Sequence, residues 1–173
     1  MKVEVRTAAE LLTPERVGEW AARRAQRDDP LLRAIWRVFV EGGGPVPLAT
    51  AARAVPALGD AEARARAASL DAADLIELEG DRVRLAYPFT TGPNDFEVIL
   101  PGGRQRYACC AIDALGVAPM VGLAVTVRAR CHRSGAPLVF DVDPAAGPRG
   151  APPGCLAWVE RGRWGGDRLS GFL

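Results

Sequence analysis

The sequence predicts an α+β fold, with a helical N-terminal part closing in a strand hairpin and then a small mixed sheet that carries one short cysteine-bearing helix. Three observations predict it. Helix-start signals and helical apolar spacing fill roughly the first 73 residues. Two β-rich runs flank Glu79-Gly80-Asp81 immediately afterwards. Beyond residue 87 short apolar runs alternate with Gly/Pro turns, and only Cys109–Leu115 reads as helix.

The elements follow in order. Thr13-Pro14 caps and opens a first helix reaching about Arg27, with Val17 and Trp20 on its apolar side. Asp28-Asp29-Pro30 opens a second, whose stripe is Leu31, Leu32, Ile35, Trp36 and Phe39, and Glu41-Gly42-Gly43-Gly44-Pro45 closes it. Leu48–Val55 supports a third, and Gly59-Asp60 starts a fourth that runs to about Ala73. Leu75–Leu78 and Arg82–Leu85 form the hairpin. Helices followed by a hairpin make residues 1–86 a winged-helix-like domain.

That topology raises DNA binding. The fourth helix argues against it, since Asp60, Glu62, Asp71 and Asp74 outnumber Arg64 and Arg66. A groove-reading helix needs a basic face toward phosphate. A scaffold role is expected instead, with no nucleic-acid partner.

Residues 87–173 form the second domain. Phe96–Leu100, Leu123–Arg128, Leu138–Val142 and Leu156–Glu160 read as strands, and Asp143 to Gly154 as a Pro/Gly-rich surface loop. The Pro101-Gly102-Gly103 turn leads through Arg104-Gln105-Arg106 to Tyr107-Ala108-Cys109-Cys110-Ala111-Ile112-Asp113-Ala114-Leu115, a strand end passing into a short helix that Gly116 and Pro119 should stop. Cys110 and Asp113 lie three apart, hence on one helical face, with the thiol near a helix N-terminus that should lower its pKa. Cys109 lies about 100° around from Cys110.

Composition narrows the function classes. The 173 residues carry 22 basic and 21 acidic side chains, a formal net charge of +1, so no general pull toward nucleic acid arises. No apolar run approaches the ~20 residues of a membrane span, and Met1–Arg6 lacks the apolar core of a signal peptide. A cytoplasmic protein is expected, its four cysteines thiols or ligands rather than disulfides. None forms Cys-x-x-Cys, which argues against a zinc finger.

Tyr107–Leu115 resembles the Tyr-Ala-x-Cys-Ala-x-Asp-x-Leu signature of the alkylmercury (organomercurial) lyases. Ala86-Tyr87-Pro88-Phe89-Thr90 resembles that family's Tyr-Pro-(apolar)-Thr segment, and Cys131-His132-x-x-Gly135-Ala136-Pro137 its Cys-His-x-x-Gly piece. The resemblance implies cleavage of a carbon–mercury bond, with Cys110 as thiolate ligand and Asp113 as proton donor. Thiolates suit soft metals, and the departing carbon needs a proton from a nearby acid. It implies a structural role for Cys131 and no resident cofactor, a soft metal such as mercury entering as substrate or ligand. His132 is expected to serve its turn.

One departure stands out. The family carries a second active-site cysteine near its C-terminal end, whereas Arg163–Leu173 contains none; if the stretches correspond, Asp167 lies about where that thiol belongs. Cys109, a further candidate metal ligand, and Cys155 are the candidates to supply the missing sulfur. Two other readings stay open: a descendant of the fold with a different substrate or a non-catalytic soft-metal role, and a winged-helix metal-responsive regulator.

Overall fold

The computed structural model describes residues 27–157, and before them Glu10, Pro14, Gly18, Ala21 and Ala25, each helical. Leu156 and Ala157, the start of the expected strand Leu156–Glu160, are described and form no strand; the rest of that strand, Asp167 and most of the expected first helix lie outside the described residues.

Helix α1, Pro30–Gly42, starts where Asp29 accepts hydrogen bonds from the backbone N–H of Leu31 at 2.7 Å and Leu32 at 3.2 Å, with Pro30 in the first turn. It buries Leu31, Leu32, Ala34, Ile35 and Phe39. Its end is held from a distance: Arg106 donates to the carbonyl of Phe39 at 2.5 Å, which also accepts from the Gly43 N–H at 2.9 Å, and to that of Val40 at 2.7 Å, in the turn where a helix leaves carbonyls open. A short strand β1, Val46–Pro47, leads into α2, Leu48–Arg53, and then α3, Asp60–Ala72, with Asp60 and Glu62 in its first turn. On α3 Arg66 is engaged by Glu62 at 2.7 Å and lies 3.7 Å from Asp29.

The strands β2, Ile76–Glu79, and β3, Arg82–Ala86, pair antiparallel about the Gly80 turn, with a register shift between Glu77 and Leu78. Strands β4, Phe89–Thr90, β5, Phe96–Leu100, β6, Arg104–Ala108, β7, Val125–Arg130, β8, Pro137–Asp143, and β9, Gly147–Arg149, complete one antiparallel sheet. Its order is β1-β3-β4-β6-β5-β7-β8-β9, with β2 paired to β3 off that path. The expected division at 86/87 falls between β3 and β4, which are hydrogen-bonded to each other. One apolar cluster also spans both sides, from Leu31, Ile35 and Phe39 to Val98, Val117 and Val142. Phe39 and Phe89 stack at its centre, ring centroids 5.9 Å apart. Gly44 fits close against them: a Cβ there would lie 2.4 Å from the Phe39 ring and from the Thr91 methyl.

Helix α4 departs from the sequence expectation. It runs Ala111–Val121, straight through Gly116 and Pro119, and ends only at Gly122. Pro119 in the last turn removes the backbone bond that would reach the Leu115 carbonyl. Burial of Ala114, Val117 and Ala118 against the sheet offsets the loss. Gly122 stops the helix in the left-handed conformation at φ 70°, its N–H reaching the Ala118 carbonyl at 2.9 Å.

Candidate active site

The site forms where β6 hands the chain to α4. Ala108 ends the ladder, paired with Phe89 of β4. Cys109 follows, buried at 4% exposure, its N–H bonded to the Pro88 carbonyl at 2.9 Å. Cys110 then caps α4 from an extended conformation, φ −153° and ψ 179°. It therefore stands at the N-cap rather than on the helix, as the spacing had suggested. Its Sγ accepts from the Asp113 backbone N–H at 3.4 Å, and the Asp113 carboxylate reaches back, Oδ2 lying 3.0 Å from Sγ. The first contact is the N-cap half of a capping box with Cys in place of Ser/Thr; the second differs from one, because the Asp113 carboxyl meets the capping sulfur itself rather than the Cys110 N–H.

The electrostatics reverse one expectation. Burial chiefly, and the adjacent Asp113 charge next, push the Cys110 thiol up from 9.0 to about 11. The backbone N–H groups of Asp113 and Ile112 pull the other way and are outweighed. A helix N-terminus favours thiolate only where solvent or cations do not lose to desolvation and a neighbouring anion. Burial also raises Asp113, while the Cys110 hydrogen bond and the Arg27 charge partly restore its ionised form. At neutral pH the pair is thus a thiol donating to a carboxyl oxygen.

Cys110 and Asp113 are brought together; the other sulfurs are not. Cys109 lies in the interior, and burial pushes its thiol strongly upward, reinforced by Asp113, Cys110, Glu77 and Asp74. Its sulfur would have to leave that environment to meet a metal beside Cys110. Cys131 sits at the end of β7, its N–H on the Ala136 carbonyl at 2.8 Å and its own carbonyl accepting from Gly135 at 2.7 Å. Hydrogen bonds from the Ser134 hydroxyl and from backbone N–H groups hold its thiol below the ordinary range. His132 is exposed in the same turn, and Cys155 is exposed near the end of the described chain. Among the described residues no three His, Cys, Asp or Glu side chains are grouped to hold a metal ion, and no described helix is long and apolar enough to cross a membrane. Sequence reasoning missed Arg27, whose charge acts on Asp113, and Asn94, whose side chain donates to the Ala108 carbonyl at 2.8 Å. Neither carries a local motif that could have marked it.

A helix-capping thiol hydrogen-bonded to a half-buried carboxyl defines a thiol–acid centre on an α+β scaffold. Comparison with known proteins shows what this part of the chain is similar to. Residues 89–152 match the family model MerB, alkylmercury lyase. The alkylmercury lyases of Bacillus cereus and Clostridium butyricum are each 33% identical over 69 residues, 40% of this chain and 30% of theirs. The chain therefore aligns with under a third of the length of these curated relatives. The fold is that of a solved structure described as the mercury-bound form of MerB2, with a TM-score of 0.62, 17% identity, and coverage of 79% of this chain and 66% of that one. Over residues 89–152 the chain is thus similar to the alkylmercury lyases, and its fold is theirs.

Proposed function

We propose that this protein cleaves the carbon–mercury bond of an organomercurial by protonolysis, with Cys110 as the sulfur that takes mercury and Asp113 as the acid that protonates the leaving carbon. The observation that carries the reading is the 3.0 Å contact between Cys110 Sγ and Asp113 Oδ2. A thiol raised to about 11 is mostly protonated at neutral pH, so mercury must displace its proton. Asp113 stands where that proton goes.

The step balances in two parts. Cys110 Sγ bonds to the mercury of R–Hg–X, X⁻ leaves, and the thiol proton moves to Asp113. The Asp113 carboxyl then gives that proton to the carbon, the C–Hg electron pair stays with carbon as R–H forms, and Hg(II) remains on the sulfur. A soft metal favours the sulfur, and burial keeps the carboxyl protonated more readily than an exposed one. Cys109 as a second sulfur requires its buried side chain to rearrange, and Cys109→Ala decides whether it contributes. Residues 1–86 are read as a winged-helix-like scaffold that carries the site without contacting nucleic acid, in keeping with the acidic start of α3. The free thiols suit reducing surroundings, in keeping with a cytoplasmic reading.

The test is release of hydrocarbon from a simple organomercurial by the purified protein. Release that Cys110→Ser abolishes supports the reading. Binding of Hg(II) with no release by the wild type would move the protein to a soft-metal binder.

A further inference from the structure

The peptide unit joining Ala108 to Cys109 is gripped at both ends by groups outside its own strand pair. Its carbonyl accepts from Asn94 Nδ2 at 2.8 Å, and its N–H donates to the Pro88 carbonyl at 2.9 Å. Both partners are themselves fixed. Asn94 Oδ1 accepts from the Phe96 N–H at 2.9 Å, a turn that seats it against the start of β5. Pro88 follows Tyr87, whose carbonyl accepts from the Trp36 indole N–H of α1 at 2.8 Å.

Without Asn94, the Ala108 carbonyl would lack this bond at the point where the β5–β6 ladder has ended: Glu97 opposite Tyr107 is its last pair. The next rotatable bonds along the chain set the extended conformation of Cys110 that aims Sγ at Asp113.

We propose that Asn94 is a positioning residue for the thiol–acid pair: by holding the Ala108–Cys109 peptide from the side opposite Pro88, it fixes the direction in which the Cys110 sulfur leaves the backbone. Its meaning for catalysis rests on the lyase reading; its meaning for geometry does not. Asn94 is exposed as a residue and its replacement removes no core side chain, so the variants below keep the fold.

The experiment separates the clamp from the turn. Asn94→Ala loses both hydrogen bonds. Asn94→Asp keeps an acceptor for Phe96 N–H and loses the donor to Ala108. Iodoacetamide labelling at pH 8, resolved cysteine by cysteine by peptide mass analysis, reports whether Cys110 still sits against Asp113. Freed from its place against Asp113 and more open to the reagent, Cys110 should label about three- to tenfold faster in both variants, with Cys109 still protected. Unchanged Cys110 labelling in both overturns the proposal. So does acceleration in Asn94→Ala alone, which assigns the effect to the turn, or labelling of Cys109 alongside Cys110, which means the segment has come apart. Because this readout needs no organomercurial, a wild type that releases no hydrocarbon refutes the lyase reading and leaves the clamp standing.

Discussion

Asp113→Asn tests the thiol–acid pair most directly, because two measurements must move in opposite directions. The Cys110 thiol stands at about 11 against an ordinary 9.0, so at pH 8 on the order of one part in a thousand is thiolate, where an unperturbed thiol gives about one in ten. Burial is the larger cause and survives the substitution; the Asp113 charge does not, although the Asn amide oxygen can still accept from the thiol. Recovering roughly tenfold of that hundredfold deficit is the expected share. A less basic thiolate is also a weaker nucleophile, and with a Brønsted slope near 0.4–0.5 the alkylation rate should rise by about threefold to fourfold. The Asp113 N–H still donates to Cys110 Sγ, so the helix cap stays formed. Hydrocarbon release, deprived of its proton donor, should fall by about 10²–10⁴-fold. Iodoacetamide kinetics and headspace gas analysis read the two quantities on the same preparation. Turnover at the wild-type rate, or alkylation that slows, would refute the assignment of Asp113 as both the acceptor of the thiol proton and its donor to carbon.

The remaining expectations concern the scaffold and its pH response. Phe39→Ala removes a fully buried ring stacked on Phe89 and should cost about 3–5 kcal/mol in denaturant unfolding; a loss under 1 kcal/mol would mean the two rings do not centre the core. Alkaline pH should destabilise the protein in a defined window. Cys110 and Cys109 are both raised in the folded state, so their contribution is complete below 9.0 and is lost as pH climbs toward about 11 for Cys110 and beyond it for Cys109. Denaturant midpoints measured between pH 8 and 11 should fall less steeply in a Cys109→Ala/Cys110→Ser variant, and identical slopes would contradict the shifts. Cys109→Ala should leave Hg(II) affinity unchanged if the buried sulfur takes no part, whereas a marked loss would make it the second ligand.

Legibility followed the range of the interactions involved. Asp29-Pro30 announced the start of α1 because capping is settled within three residues, and the structure shows those bonds where the sequence put them. The hairpin around Gly80 and the strand Phe96–Leu100 were readable for the same reason. The reach of α4 was not: a proline rule applied to Pro119 loses to burial of Val117 and Ala118 against strands distant in the chain. The direction of the Cys110 shift failed likewise. A helix N-terminus is visible in sequence, but the desolvation that overrides it is supplied by the folded surroundings. Cys110 and Asp113 as partners were legible from their spacing, though as a cap and its third residue rather than as two positions on one helical face. Asn94 and Arg27 were illegible because each acts on the site across a turn or from another element.

The capping geometry also resolves a tension in the chemistry. A site built to bind a soft metal would seem to want a thiolate in waiting, yet here the sulfur is held protonated. Protonolysis needs a proton as much as it needs a ligand, and a thiolate already stripped by solvent would have to draw that proton from elsewhere. Holding the thiol against an acceptor 3.0 Å away keeps the proton inside the site until the metal displaces it. The transfer then returns it to the carbon bound to the same mercury. The backbone N–H groups that cap the sulfur help it only once it has lost its proton, which ties ionisation of the thiol to arrival of the metal. In the proposed reaction the raised thiol is a requirement, and the Cys-x-x-Asp spacing lets the cap and the proton relay be one structure.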